Sequence, residues 1–201
     1  MKDPKFTRLY EMAKKELLED ILPFWEKYDV DEENGGFYGV VTREGKPVKG
    51  GTKCLVLNAR LVWTFASAYR ILKDEKYLKL AKRAYDYFCE YFIDKQYGGC
   101  YFMLDCKGNA IDDKKFVYGQ AFAIYALSEY CRATGDTEAR DKAVAIRDLL
   151  EQHAYTPDHP GYIEILARDW SYNPANQGSN INPEAEATKT MNTHLHLIEA
   201  Y

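Results

Sequence analysis

The sequence predicts an all-α fold: a toroid of helical pairs with short β-hairpins at one end, of which these 201 residues supply about the first half. Three observations predict it. A motif recurs about every 60 residues, the helical stretches alternate between two hydrophobic patterns, and glycine-containing turns punctuate them.

The repeat is carried by GGFYGVVTREGKPV (Gly35 to Val48) and GGCYFMLDCKGNAI (Gly98 to Ile111), which lie 63 residues apart. Each predicts a hairpin of short apolar or aromatic arms, joined by REGK or CKGN, where glycine supplies positive φ. A weaker third copy, PGYIEIL, runs from Pro160 to Leu166.

The helices follow in order. FTRLYEMAKKELLEDILPFWEKY is the first outer helix, with Pro23 expected to bend or end it. CLVLNARLVWTFASAYRIL is apolar around most of its circumference and predicts an inner helix. EKYLKLAKRAYDYFCEYF keeps Leu78, Ala81, Tyr85, Phe88 and Phe92 on one face and predicts an outer one. FVYGQAFAIYALSEYCRAT is again inner, and EARDKAVAIRDLLEQHA outer, starting after the Asp136–Thr137 cap signal. A third inner helix begins in KTMNTHLHLIEAY. Aligning WTFASAY, AIYALSEY and HLHLIEAY places Tyr69, Tyr130 and Tyr201 in register.

Bulk composition narrows the function classes. With 46% hydrophobic and 29% charged residues the chain can bury a core. A net charge of -4 argues against a nucleic-acid or membrane surface. Seventeen tyrosines suit a polar ligand with flat faces such as a sugar, although core and surface roles explain most of them. The five cysteines contain no CxxC pair and predict reduced thiols in a cytoplasmic protein. No apolar run reaches the roughly 18 residues of a membrane span, and the charged N-terminus is no secretory signal.

If the hairpins feed the inner helices, a pocket should be lined by the helices' first turns. Nine residues back from Tyr69 is Arg60, and nine back from Tyr201 is Asn192. Nine back from Tyr130 is the small Ala121, with Tyr118 one turn earlier. His194 and His196 point about 200° apart on a helix, so they cannot jointly hold a metal. Asn192, His196 and Glu199 form one polar stripe, which makes His196 the site candidate and His194 a structural or outward-facing residue. His196 could equally be a core histidine on a backbone carbonyl, and Arg60 a snorkelling arginine or half of an internal ion pair. Trp170 is expected to close the core rather than stack on a ligand. The acidic groups Asp31–Glu32–Glu33 and Asp112–Asp113 are expected to cap helices or face solvent. Ser171 to Ala187 is a long polar loop with the composition of a lid.

Taken together, ILPFWEK, DEENGGFYG, LNARLVWTFASAY, YGGCYFMLDCKG, YGQAFAIYALSEY, ARDW and KTMNTHLHLIEAY resemble the N-acylglucosamine 2-epimerase superfamily, most nearly its cellobiose 2-epimerases. The resemblance runs over nearly the whole chain, in order. It implies an (α/α)6 barrel about twice this length, whose N-terminal half is present as a single domain over residues 1–201. It also implies sugar epimerisation or isomerisation through a cis-enediolate, without metal or redox cofactor. Arg60 would then steady charge on O1 and O2. His196 would bind substrate and assist ring opening or proton handling, and Tyr118 and Asn192 would hold hydroxyls. The acid–base histidine pair of the family lies in the half not represented here, and His153 and His159 cannot replace it, so this chain alone is expected to be inactive.

An N-acylglucosamine 2-epimerase or a mannose-type aldose–ketose isomerase would share the framework. A non-catalytic, carbohydrate-binding helical repeat is the alternative of another class. The expected partner is a small sugar or disaccharide, with no nucleic acid and no membrane. An exposed inner-helix edge is expected to promote self-association.

Overall fold

The structure, a computed structural model, describes residues 4–174 and 188–201. Most of the expected lid, residues 175–187, lies outside them.

Three inner helices stand side by side: α3 (Leu55–Leu72), α5 (Val117–Thr134) and α7 (Met191–Ala200). α5 packs against both of the others. Behind them lie α4 (Glu75–Tyr87), against α3, and α6 (Thr137–His153), against α5. The two apolar-all-round stretches are therefore the covered ones. α5 buries Val117, Ala121, Ile124 and Leu127 with no more than 4% exposure. Side-chain caps start the outer helices: Asp74 accepts from the Lys76 N–H, and Asp136 from those of Glu138 and Ala139.

Pro23 neither ends nor sharply breaks the first helix. α1 (Pro4–Glu16) passes through a π-helical turn, Leu17–Ile21, into α2 (Leu22–Tyr28). The wider turn precedes a proline that has no N–H to give the preceding turn. A second π-turn, Phe88–Phe92, extends α4.

Of the expected hairpins, the second is the best formed. β2 (Met103–Leu104) and β3 (Ala110–Asp112) pair antiparallel, and β1 (Lys53–Cys54), which leads into α3, joins on β2's other side. Likewise β4 (Lys115–Phe116), leading into α5, pairs with β5 (Ile165–Leu166). Each strand entering an inner helix is thus stapled to the hairpin of the next repeat. The first hairpin is reduced to a single bridge, Val41↔Pro47, because proline brings no donor to a ladder. The weak third copy is a true one. The bridges Val30↔Phe37, Ile93↔Cys100 and Tyr155↔Tyr162 occupy the same place in three repeats. The second glycine of each GG pair has a reason too. Gly36 and Gly99 have φ of 62° and 66°, and a Cβ at either would lie 2.5 Å from the Tyr87 or Trp170 ring.

The inner helices do not align on their tyrosines. The common mark is a lysine two residues before each helix: Lys53, Lys115 and Lys189. Tyrosines at the far ends sit in unlike surroundings, Tyr130 stacked on Tyr85 and Tyr201 donating to Glu151. They mark no shared position, whereas the lysines are pinned at the hairpin end.

Candidate active site at the starts of the inner helices

Two of the three pins are built alike. Lys53 Nζ lies 3.0 Å from Asp31 Oδ2 and donates to the Gly35 carbonyl at 2.8 Å. Lys115 Nζ lies 3.0 Å from Asp94 Oδ2, and Asp94 also accepts from Arg168 Nε at 2.9 Å and Nη2 at 3.2 Å. In the third repeat Lys189 donates to the Thr156 hydroxyl and the His159 carbonyl. Asp31 is therefore not a solvated acid: it is 1% exposed, and its Oδ1 caps the following turn, accepting from the Glu33 and Asn34 N–H groups at 3.0 and 2.9 Å. Burying a carboxylate is tolerable only because an ammonium meets it there.

Five residues after each lysine stand Asn58, Gln120 and His194. Gln120 accepts from the Cys100 N–H at 2.8 Å and donates to its carbonyl at 2.9 Å. His194 does the same kind of work, its Nδ1–H donating to the Thr190 carbonyl at 2.7 Å and its Nε2 accepting from the Tyr162 N–H at 3.1 Å. These bonds fix its tautomer and make it structural.

Seven residues after each lysine stand Arg60, Phe122 and His196. The Arg60 guanidinium carbon sits 4.7 Å from the Phe122 ring centre, and the His196 ring is 4.4 Å from the same ring. Tyr118 is within 6.4 Å of both Phe122 and His196. Arg60, Tyr118 and His196 thus cluster around one phenyl ring despite their separation in sequence. Tyr118 and Asn192 share the position three after the lysine, one turn before Phe122 and His196. Asn192 is half-buried there.

The opening beside this ring has a volume of about 340 Å³ and is lined by Arg60, Trp63, Thr64, Phe122, Tyr125, His196 and Glu199. Trp63 and Tyr125 stack with ring centres 5.1 Å apart and planes 9° apart, giving a flat apolar wall of the kind a sugar face packs on. His196 Nδ1 lies 3.0 Å from Glu199 Oε2. Burial raises the Tyr125 phenol above its ordinary range, with the Glu199 and Glu129 carboxylates adding to the effect and Arg60 opposing it. Arg60 is the only arginine or lysine among the lining residues.

Sequence reasoning missed Phe122, Trp63 and Tyr125. The lysine register would have found Phe122, since it marks the same position as Arg60 and His196. Trp170 closes the core as expected, 4% exposed, with its indole N–H on the Tyr97 carbonyl at 2.9 Å. His153 lies against that indole, 5.7 Å between ring centres, and neither it nor His159 lines the pocket. Among the described residues no three His, Cys, Asp or Glu side chains gather to hold a metal ion, and no helix is long and apolar enough to cross a membrane. The five cysteines are free thiols, of which only Cys100 is fully buried.

Comparison with known proteins places this architecture. The N-acylglucosamine 2-epimerase (GlcNAc 2-epimerase) family model matches residues 36–201. The chain is 42% identical over 193 residues to a cellobiose 2-epimerase of Bacteroides fragilis, covering 96% of this chain and 49% of that protein. It is 28% identical over 137 residues to the human N-acylglucosamine 2-epimerase, covering 66% of this chain and 32% of that one. The solved cellobiose 2-epimerase from Bacillus thermoamylovorans superposes with a TM-score of 0.91 at 41% identity, covering 97% of this chain and 50% of that structure. The chain spans about half the length of the cellobiose 2-epimerases it matches, and its helical pairs form about half of their (α/α)6 fold. By family model, by identity and by fold, the chain belongs to the N-acylglucosamine 2-epimerase family.

Proposed function

We propose that this chain carries the substrate-positioning half of a cytoplasmic sugar 2-epimerase acting on a β-1,4-linked disaccharide. The observation that carries the reading is the placement of a cation, Arg60, and an imidazole, His196, against one apolar ring beside an aromatic wall. Epimerisation at C2 removes the proton next to the open-chain aldehyde and leaves an enediolate whose negative charge is shared by O1 and O2. The proton is then returned to the other face of C2. A guanidinium is suited to that charge, because it stays protonated and binds two oxygens at once. His196, with Glu199 on Nδ1, presents its other nitrogen for substrate hydroxyls and ring opening. Tyr118 and Asn192 hold further hydroxyls from the adjacent turn. Identity of 42% to a cellobiose 2-epimerase, against 28% to an N-acylglucosamine 2-epimerase, supports the disaccharide over the acylated monosaccharide.

His196 is the one histidine lining the pocket among the described residues, so the acid–base pair is not supplied here. A general acid or base contributes roughly 10² to 10⁴-fold, and the chain by itself should therefore bind sugar without turning it over at enzymatic rates. The test is a titration with cellobiose followed by NMR. The ring signals of His196 and Tyr118 should move while those of His153 and His159 stay. Unmoved His196 and Tyr118 signals at saturating sugar, or ordinary turnover by the isolated chain, would each overturn this reading.

A further inference from the structure

The lysine register sets the inner-helix side chains in layers. Seven after the lysine stand Arg60, Phe122 and His196, and ten after it stand Trp63, Tyr125 and Glu199. In α3 and α5 the tenth position is an aromatic ring, and the two rings stack. In α7 it is a carboxylate. An acid in a layer that the other helices fill with rings is not there for packing, so its charge points to another role.

The arginines nearby do not account for it. Arg70 Nε lies 2.6 Å from Glu129 Oε1, and Arg132 Nη1 lies 3.7 Å from Glu129 Oε2, so both are taken. Arg60 lies over the Phe122 ring, and among the described residues no lysine or arginine comes within ion-pairing distance of Glu199. Its hydrogen-bond partner among those residues is His196 Nδ1, at 3.0 Å, one turn back. The last turn of α7, which carries Glu199, is itself held. The Tyr201 N–H donates to the Leu197 carbonyl at 3.0 Å, and the Tyr201 hydroxyl to Glu151 at 2.9 Å.

His194 shows what such a contact does to an imidazole in this helix. Its Nδ1 faces the Thr190 carbonyl, which can only accept, and its Nε2 faces the Tyr162 N–H, which can only donate, so a single tautomer fits. An ionised carboxylate also only accepts. At His196 it draws the ring proton to Nδ1 and leaves Nε2 with its lone pair. Among the described residues no hydrogen bond occupies that Nε2.

We infer that Glu199 is a positioning residue, which holds His196 in its Nδ1–H tautomer so that the nitrogen offered to the sugar is an acceptor. The inference rests on the pocket being a sugar site, and it divides the work between the two site residues. Arg60 can only donate, to oxygen lone pairs, whereas His196 receives a hydrogen bond from a hydroxyl. The pair therefore favours a ligand that offers acceptor oxygens and donor hydroxyls together, as a sugar does. A carboxylate, with no proton to give Nε2, satisfies only Arg60.

The ring nitrogen signals of His194 and His196, read by long-range proton–nitrogen correlation in the sugar-free chain at pH 9, test this. That pH is well above the ordinary histidine pKa, about 6.5, and an unconstrained neutral side chain favours the Nε2–H form. In the wild-type chain both residues should show a protonated Nδ1 and a bare Nε2. Glu199→Ala should exchange the two shifts of His196, while His194 keeps its pattern and so reports that α7 still folds. Glu199→Gln, whose side-chain oxygen still accepts, should restore the wild-type pattern. The Glu199 side chain is 58% exposed, so neither substitution opens a cavity. A wild-type His196 protonated on Nε2, or on both nitrogens, would overturn the inference, as would an Nδ1–H form that persists in Glu199→Ala. Because the signals are read without sugar, a failed cellobiose titration would count against the sugar reading and not against the Glu199–His196 pair.

Discussion

The second and third repeats use the same lysine in different company. Lys115 is fully buried and held by Asp94, which Arg168 grips from the other side. Lys189 meets a neutral hydroxyl, Thr156, and a carbonyl, and it is only half-buried. Where the loop before the hairpin supplies an aspartate, as for Lys115 and also for Lys53 on α3, the pin is ionic and dry. At α7, where the pin is half-buried, its partners are a hydroxyl and a carbonyl. α5, whose Phe122 forms the floor of the pocket, is thus packed between two inner helices, and α7, which carries His196, against one.

The largest effect should come from breaking the dry pin. Lys115→Met leaves the Asp94 carboxylate buried with only Arg168, and urea unfolding should show a loss of about 3–5 kcal/mol. Lys189→Met should cost no more than about 1 kcal/mol, because it removes a half-exposed contact to uncharged partners. Equal losses at the two positions would erase the distinction between the repeats.

The next effect sharpens the contrast through pH. Burial opposes ionisation of Asp94, but Arg168 and Lys115 outweigh it and hold the carboxyl well below the usual range. Its contribution is present above the ordinary carboxylate pKa, about 3.9, and is lost as pH falls below it. Asp29 has the opposite sign. Burial pushes it up to about 7, with Lys53 opposing and Asp31 adding, and its Oδ2 has no hydrogen-bond partner. Its folded form holds a proton that the unfolded chain releases, so its stabilisation is full below about pH 4 and fades as pH rises to about 7. Asp29→Asn should leave stability at pH 4 nearly unchanged and raise it at pH 8 by a few kcal/mol, since each tenfold change in proton affinity is worth about 1.4 kcal/mol. Denaturation curves at the two pH values check this, and parallel curves for wild type and variant would refute it.

The smallest effects separate the two residues that pin a bridge. Gln120→Ala strands the buried N–H and carbonyl of Cys100 and should cost about 1–3 kcal/mol. His194→Ala frees the Tyr162 N–H near a more open edge and should cost about 1 kcal/mol. The same unfolding measurement applies, and a larger loss at His194 would reverse the ranking.

These contrasts also explain what the sequence could show. Helical period and glycine turns locate the inner and outer helices to within a residue or two, because both are local signals. The stretch expected to begin at Cys54 starts at Leu55 and ends, as expected, at Leu72. The register between helices is not local. It is set by lysines whose partners lie around the preceding hairpin, an aspartate for Lys53 and Lys115, and a lone lysine in sequence looks like surface. The tyrosine alignment slips for that reason, and Asp31 looks like a capping or solvated acid. Arg60 and His196 emerge regardless, since a charge and an imidazole in apolar helices stand out under any register. Phe122 does not, because a phenylalanine there looks like any core residue.

Arg60, Phe122 and His196 hold one equivalent position around a shared pocket, and the proposed site stands or falls with that equivalence. The most direct measurement is the nuclear Overhauser effect between the His196 and Phe122 ring protons, whose ring centres are 4.4 Å apart. A strong His196–Phe122 cross-peak alongside the weaker one expected between His194 and Tyr162, at 5.9 Å, is the predicted result. Absence of a His196–Phe122 cross-peak would separate the two rings, and the shared pocket would be gone.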